Sequence, residues 1–366
     1  MTNLELMHDK FNQSPWLDNL SREMLNNGSI QKLIDQGVRG LTSNPTIFEK
    51  ALSDSTAYDD AIKDKKTQTN DAENIYWQLA VEDIQTTADL LLSTYESSNH
   101  EDGYVSLEVS PNLAQDAEST LNQAHELWQR VNRPNLMIKV PATKACLPVI
   151  SKLISEGINV NITLIFSLER YQEVIDAYMT GLESANDNVS KVHSVASFFV
   201  SRIDTEIDMR LEQNKSDDNK ELSGKAAIAQ ARLAYEIFSN KFNESNPKWI
   251  NLSQKGANKQ RPLWASTSTK NPSYDPLMYI TNLIAEDTVN TIPNKTIDTI
   301  NETDNCITTL GITDDSIKAS KELLNQLENN GISLQDVAET LEMQGLKKFQ
   351  DSFSSLLKAL NSKMNQ

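Results

Sequence analysis

Short apolar segments alternate with longer amphipathic segments along most of the chain. The apolar segments are about 4–9 residues long, rich in β-branched residues and flanked by Gly, Pro or Ser, which favours strands over helices. They lie at 38–42, 104–109, 136–140, 158–166, 192–200 and 263–266, with weaker candidates at 16–20 and 288–292. Few folds can accommodate this repeated alternation of strand-like and longer amphipathic segments.

The intervening segments have helical periodicity and often begin with Asp, Ser or Thr, the residues preferred at helix N-termini. They span 72–95, 116–131, 168–183 and 224–242, and the tail at 334–360 predicts one or two further helices. Strand–helix alternation at this spacing indicates right-handed βαβ units and a parallel sheet. We therefore predict an α/β fold, a (β/α)8 TIM barrel with additional N- and C-terminal helices.

The length of 366 residues suits one such barrel, since barrels with insertions run from about 200 to over 400 residues. Two polar segments, 214–221 and 243–261, are interpreted as exposed loops, and neither reads as an interdomain linker. The sequence therefore predicts a single domain over residues 1–366.

The formal net charge of −17 disfavours binding to nucleic acid or to anionic lipid. No stretch of about 18 apolar residues could span a membrane, and the N-terminus lacks a secretory signal. Cys146 and Cys306 are too few for a disulfide framework, and the four His residues show no metal-binding spacing. We expect a cytoplasmic protein, a monomer or homodimer, that uses no metal and no other cofactor.

Polar residues occur within or at the ends of the predicted strands, where a barrel core would ordinarily be apolar. Inward side chains near the C-terminal ends of barrel strands surround the active site, so these residues predict a catalytic mouth. They are Asp18, Asn44, Glu108, Lys139, Asn161, Thr163, Ser197 and Ser266.

Lys139 is the least expected of these residues, because it lies in an apolar strand and lysine is seldom buried. Burial disfavours the ammonium form and leaves a free amine that can attack a ketone and form an imine. The alternative is an outward or edge-strand lysine that faces solvent.

Asp18 and Glu108 are the two acids placed on strands, and imine chemistry followed by carbon–carbon cleavage needs proton acceptors. Each has a structural alternative. Asp18 could be the N-cap of a helix that follows it, and Glu108 could form a structural ion pair at a strand end.

Seven segments carry a resemblance to a known family. The chain resembles the transaldolase family, especially its longer bacterial members, in these segments and in their order. They are 13–20 (QSPWLDNL), 40–48 (GLTSNPTIF), 105–109 (VSLEV), 135–143 (NLMIKVPAT), 157–167 (GINVNITLIFS), 195–204 (VASFFVSRID) and 264–272 (WASTSTKNP).

The resemblance implies a role for each matching residue. Lys139 matches the Schiff-base lysine, and Asp18 matches the acid/base that deprotonates a hydroxyl before cleavage. Glu108 and Thr163 match the pair that holds a catalytic water. The residues that match the groups contacting the substrate hydroxyls are Asn44, Asn161 and Ser197. Arg202 matches the phosphate-binding arginine. Its structural alternative is a surface arginine that pairs with Asp204 or Glu206.

The chain departs from the family pattern after the seventh predicted strand, where many members carry a second phosphate-binding arginine. Lys270 stands in this region, and the hydroxyl-bearing run from Ser266 to Thr269 could also bind phosphate. A lysine is a point charge without the bidentate fork of arginine, so we expect looser phosphate geometry.

The resemblance implies a transaldolase of the non-oxidative pentose phosphate pathway, acting on sugar phosphates. It would transfer a dihydroxyacetone unit from sedoheptulose 7-phosphate or fructose 6-phosphate to glyceraldehyde 3-phosphate or erythrose 4-phosphate. One alternative is a Schiff-base fructose-6-phosphate aldolase, although Phe198 and Phe199 stand where the simple aldolases that resemble the family place a tyrosine. The other alternative is a non-catalytic binding barrel.

Overall fold

A computed structural model describes residues 1–185, 189–213 and 219–365. Eight parallel strands form a closed barrel in chain order, with β1 hydrogen-bonded to both β2 and β8. The strands are β1 (Gln13–Leu17), β2 (Leu41–Thr42), β3 (Val105–Glu108), β4 (Leu136–Pro141), β5 (Val160–Ile165), β6 (Ser194–Phe199), β7 (Gln260–Ala265) and β8 (Thr288–Ile292).

Helices surround the barrel and extend the chain beyond it at both ends. Short 3-10 helices at Pro111–Leu113 and Val189–Lys191 join them. The α-helices are α1 (Asn3–Phe11), α2 (Arg22–Asn26), α3 (Ser29–Asp35), α4 (Pro45–Asp54), α5 (Asp59–Lys66), α6 (Ala72–Ser97), α7 (Ala117–Val131), α8 (Leu147–Ser155), α9 (Leu168–Ser184), α10 (Ser201–Gln213), α11 (Asn219–Leu222), α12 (Ala226–Lys241), α13 (Pro247–Ser253), α14 (Met278–Thr281), α15 (Asn294–Glu302), α16 (Asp314–Asn329) and α17 (Leu334–Met364).

The predicted (β/α)8 barrel with additional terminal helices is confirmed. The strand expected at 288–292 has those bounds, whereas the one expected at 16–20 lies at Gln13–Leu17, so Asp18 directly follows β1. The tail expected to form one or two helices is one long helix, α17.

The prediction of an exposed loop at 243–261 was wrong, because the segment contains α13 and the start of β7. The side chain of Asn246 accepts a hydrogen bond from the Lys248 backbone at 3.1 Å, and Pro247 occupies the first turn. Trp249 and Leu252 are buried beneath the helix. In the other segment expected to be a loop, residues 214–218 lie outside the described residues and α11 begins at Asn219.

Helix α17 lies against the mouth of the barrel and is attached near both of its ends. Near its start, the Arg210 guanidinium lies 2.5 Å from an Asp336 carboxylate oxygen. Near its end, Nζ of Lys363 lies 2.6 Å from a carboxylate oxygen of Asp59. Midway, the Ser352 and Thr46 hydroxyls are 2.9 Å apart, which joins α17 to α4. These contacts hold the helix beside the C-terminal ends of the strands.

At the opposite end of the barrel, Asp102 is buried at 1% exposure among four donors. Its carboxylate accepts from Arg39 Nε at 2.7 Å, Arg261 Nη2 at 3.0 Å and the Ser14 hydroxyl at 2.8 Å. Burial alone would raise the pKa of Asp102, but Arg261 and Arg39 outweigh it and hold the pKa at about 2, below the ordinary 3.8. This ion cluster closes the end of the barrel away from the mouth.

Replacing Asp102 by asparagine is expected to lower the free energy of unfolding by about 3–5 kcal/mol, because it leaves two partly buried guanidinium groups without their buried counterion. Since the folded-state pKa is depressed, the carboxylate stabilises the fold above pH about 4, and this contribution is lost as pH falls toward about 2. Chemical denaturation of wild type and Asp102→Asn between pH 7 and pH 2 measures both effects.

The matched control for that measurement is Asp287→Asn, which removes the carboxylate of a partly exposed pair with Lys259. We expect this change to lower the unfolding free energy by less than about 1 kcal/mol. An equal loss of unfolding free energy in the two variants would contradict a stabilising role for the buried cluster. So would a difference between wild type and Asp102→Asn that stays the same as the pH falls.

Within the described residues, no helix is long and apolar enough to cross a membrane. Over the same part of the chain, no group of three or more His, Cys, Asp or Glu side chains is arranged to hold a metal ion.

Candidate active site

A cavity of about 610 Å³ opens at the C-terminal ends of the strands. It is bounded by the ends of β1, β2, β4–β8 and by α4 and α17. Of the site residues predicted from the sequence, it brings together all but Glu108 and Asn161, which lie beneath its floor. The predicted residues that line it are Asp18, Asn44, Lys139, Thr163, Ser197, Phe199, Arg202, Ser266 and Lys270.

Lys139 projects from β4 into the floor of this cavity and is only 4% exposed. Its Nζ lies 3.2 Å from Oε2 of Glu108 and donates a hydrogen bond to the Ser43 carbonyl at 3.1 Å. Lys139 and Glu108 are register partners on neighbouring strands, which fixes the pair in place. The lysine therefore does not face solvent, and a carboxylate is within reach to accept its proton.

Glu108 is 5% exposed, and burial raises its pKa while the neighbouring Lys139 opposes that rise. A carboxylate whose pKa is raised accepts a proton more readily than an ordinary one and can return it later in the cycle. The Thr163 hydroxyl, also buried, has no hydrogen-bond partner within the described residues. Oε2 of Glu108 and the hydroxyl oxygen of Thr163 are therefore both available to hydrogen-bond a water molecule or the substrate.

Asp18 faces the cavity from the end of β1. Its carboxylate accepts from the Thr42 hydroxyl at 3.0 Å, and the Thr42 hydroxyl lies 2.6 Å from that of Thr291. Burial raises the pKa of Asp18, opposed by Lys139, Thr42 and more distant cations. The helix that follows is capped instead by Ser21, whose side chain accepts from the Met24 backbone at 3.2 Å, so Asp18 is not a helix cap.

Ser197 presents its hydroxyl at the cavity wall, whereas Asn161 supports it from below. The Ser197 hydroxyl donates to Oδ1 of Asn161 at 2.7 Å, and Nδ2 of Asn161 donates to the Ser106 hydroxyl at 3.0 Å. Asn161 is fully buried. Oδ1 of Asn44 caps α4 by accepting from the Ile47 backbone at 3.0 Å, so the amide nitrogen is its free group.

Arg202 stands at the start of α10, with its guanidinium carbon 5.2 Å from the centre of the Phe199 ring. The acids that could have paired with it are engaged elsewhere. Asp204 accepts from the Tyr279 hydroxyl at 2.7 Å, and Glu206 pairs with Arg210 at 2.8 Å. Arg202 therefore points its charge at the cavity.

The loop after β7 supplies Ser266 and Lys270. Ser266 has a left-handed backbone (φ 58°), and its hydroxyl lies 2.9 Å from that of Ser201. Nζ of Lys270 donates to the Ser268 hydroxyl at 2.7 Å. Burial, together with Lys348 and Arg202, lowers the pKa of Lys270.

Several residues that shape the cavity were missed by sequence reasoning. Thr42, Thr291 and Ser106 are ordinary strand residues, and only their contacts reveal that they position acids and amides. Lys348 and Phe349 reach the cavity from α17, more than a hundred residues along the chain from β6. The tail was predicted to be helical, but nothing in its sequence marked these two residues as part of the site.

The arrangement combines the buried Lys139 amine, the Glu108 carboxylate that can take its proton and the Asp18 carboxylate on the cavity wall. At the cationic end of the cavity stand Arg202 and Lys270. Such a set can bind an anionic carbonyl compound, form an imine with it and remove a proton from the bound species.

The comparisons with known proteins agree with this geometry. Residues 15–360 match the family described as Transaldolase/Fructose-6-phosphate aldolase. A protein named Transaldolase from Mycobacterium tuberculosis (strain ATCC 25618 / H37Rv) is 47% identical over 348 residues, covering 94% of this chain and 92% of that protein. Proteins with the same name from Mycolicibacterium smegmatis (strain ATCC 700084 / mc(2)155) and Thermobifida fusca (strain YX) are each 46% identical, covering 96% and 93% of this chain and 95% and 93% of theirs.

Proposed function

The chain belongs to the transaldolase/fructose-6-phosphate aldolase family, and we propose that it is a transaldolase that uses a Schiff base on Lys139. It would move a three-carbon ketose unit between sugar phosphates of the non-oxidative pentose phosphate pathway. The observation that carries this proposal is the buried Lys139 amine with the Glu108 carboxylate 3.2 Å away.

The first half-reaction begins when the Lys139 amine adds to the C2 carbonyl of a ketose phosphate. The carbinolamine then loses water and becomes a protonated imine. Glu108 and the Thr163 hydroxyl suit the proton transfers of this step, because both are buried and have free hydrogen-bonding capacity that a water molecule could fill.

Carbon–carbon cleavage follows from the imine. Asp18 takes the proton of the C4 hydroxyl, the C3–C4 bond breaks, and its electron pair moves into the iminium to form an enamine. An aldose phosphate leaves with a new carbonyl at the former C4. A second aldose phosphate accepts the enamine carbon, and Asp18 returns its proton to the new hydroxyl. Water then hydrolyses the resulting iminium, which releases the new ketose phosphate and restores the Lys139 amine. The iminium is the electron sink, so the cycle calls for no metal or organic cofactor.

Substrate binding divides between the wall and the cationic end of the cavity. Ser197, supported by Asn161, and the Asn44 amide suit the sugar hydroxyls. Arg202 can bind phosphate through its guanidinium fork, with Lys270 and Ser266 beside it.

Both cysteines are free, which suits the reducing cytoplasm as the compartment. We also propose that the protein is a monomer or homodimer.

The nearest alternative is an aldolase of the same family that releases the three-carbon unit. Phe199 at the cavity wall has no phenol to protonate the enamine, which favours retention of the enamine until an acceptor aldose arrives. A non-catalytic barrel is disfavoured because Lys139 and Asp18 line the cavity and Glu108 lies 3.2 Å from the lysine.

Product analysis with and without an acceptor separates transfer from release. With fructose 6-phosphate and erythrose 4-phosphate, we expect sedoheptulose 7-phosphate as the main product. With fructose 6-phosphate alone, free dihydroxyacetone should form at no more than about a hundredth of that rate, since general acid catalysis of the missing protonation is worth about 10²–10⁴-fold. Release at the rate of transfer would identify an aldolase instead.

A further inference from the structure

One face of α17 lies directly against the cationic end of the cavity. Gly345, Lys348 and Phe349 are spaced at i, i+3 and i+4, so they share a face of the helix. A Cβ at Gly345 would lie 3.4 Å from Nη1 of Arg202 and 3.1 Å from the Leu164 side chain, so the helix backbone packs in close contact with the arginine. The Phe349 ring centre is 6.0 Å from the guanidinium carbon of Arg202.

Three cations thereby line the same cavity. Arg202, Lys270 and Lys348 all line it, and within the described residues no carboxylate oxygen lies within 4 Å of any of them. The neighbouring Lys347 differs, since it does not line the cavity and its Nζ lies 2.7 Å from a carboxylate oxygen of Asp351. In a chain with a net charge of −17, three cations that line one cavity and form no salt bridge within the described residues mark a place for an anion.

The mutual effects of these charges agree with that arrangement. Partial desolvation and the nearby Arg202 lower the pKa of Lys348, and partial desolvation, Lys348 and Arg202 lower the pKa of Lys270 against an opposing effect of Asp18. The charges of Lys348 and Arg202 thus disfavour the charge on Lys270, and a bound dianion would relieve this repulsion.

We propose that Lys348 is a third phosphate ligand, through which the C-terminal helix selects phosphorylated over unphosphorylated sugars. This inference rests on the proposed transaldolase function. Lysine supplies a flexible point charge rather than a fork, which suits a residue at the cavity mouth that reaches toward the outer phosphate oxygens. Gly345 allows the helix to approach Arg202 closely, and the Phe349 ring of the same helix face lies over the guanidinium.

The test compares Lys348→Met with Lys347→Met, which removes the same charge from the next residue of the same helix. For Lys348→Met we expect the KM for fructose 6-phosphate to rise about tenfold or more with little change in kcat, since a charge-assisted hydrogen bond to phosphate is lost. The preference for glyceraldehyde 3-phosphate over glyceraldehyde as acceptor should fall by a similar factor. Lys347→Met should match wild type, and Lys348→Arg should restore the KM.

Calorimetric titration with inorganic phosphate gives a second measurement that does not depend on turnover. Wild type and Lys347→Met should bind phosphate, and Lys348→Met should bind it at least about tenfold more weakly. Equal affinity and equal KM in the two methionine variants would overturn the role of Lys348, while wild-type turnover would leave the proposed function standing. A wild type that binds phosphate through Lys348 but forms no transfer product would instead reject the proposed function.

Discussion

Replacing Lys139 by methionine is expected to abolish transaldolase turnover, with kcat reduced by about 10⁴-fold or more, the scale seen when a covalent nucleophile is removed. Methionine keeps the length and apolar character of the lysine stem but cannot form an imine. Because the amine is the only group proposed to bond covalently to the substrate, neither Glu108 nor Asp18 can take over its part. A coupled assay with fructose 6-phosphate and erythrose 4-phosphate measures the loss.

Two controls accompany this variant. Lys144→Met makes the same substitution at an exposed position just beyond β4 and should leave kcat unchanged. Because Lys139→Met also leaves Glu108 without its ion-pair partner, a Lys139→Met, Glu108→Gln double variant removes both buried charges and should fold stably while remaining inactive. Measurable turnover in a folded Lys139→Met protein would mean that the chemistry does not pass through this residue.

Replacing Asp18 by asparagine is expected to block the cycle one step later. The amide has nearly the same shape as the carboxylate but cannot accept the C4 hydroxyl proton, so cleavage should slow by about 10²–10⁴-fold. Imine formation on Lys139 does not use Asp18 in this mechanism and should persist. A single-turnover experiment that follows both covalent adduct and released aldose phosphate separates the two steps.

The matched control for Asp18 is Asp54→Asn, which makes the same change at an exposed residue on the rim of the cavity. This variant should cleave substrate at the wild-type rate. Wild-type cleavage in Asp18→Asn would remove Asp18 from the mechanism, whereas loss of both adduct and cleavage would assign it a role in binding or folding.

The barrel could be predicted from the sequence because its strands are apolar runs with clear boundaries and its helices carry caps at their starts. Lys139 and Glu108 could be found because charged residues are rare in buried strands. The closure of β1 onto β8, by contrast, pairs residues such as Gln13 and Thr288, which stand 275 positions apart in the sequence. No local pattern encodes such a pairing, so the sequence predicted the barrel from its repeated strands and helices without predicting the contacts that close it.

The parts that escaped prediction share a physical cause, since each depends on contacts between distant residues. Thr42 and Thr291 are unremarkable as strand residues and acquire a role only through their 2.6 Å contact beside Asp18. Helix α13 was missed because its short apolar face, Trp249 and Leu252, lies in a charged and polar segment. Lys348 resembles any lysine on an exposed helix until the helix is placed against Arg202.

Borohydride trapping followed by mass spectrometry tests the central claim most directly. Wild-type protein incubated with fructose 6-phosphate and then reduced should carry a three-carbon adduct, and the modified peptide should contain Lys139 as the labelled residue. Lys139→Met should remain unlabelled under the same conditions, and Lys144→Met should label like wild type. An unlabelled wild type, or an adduct located on another lysine, would contradict the imine mechanism built on the buried amine.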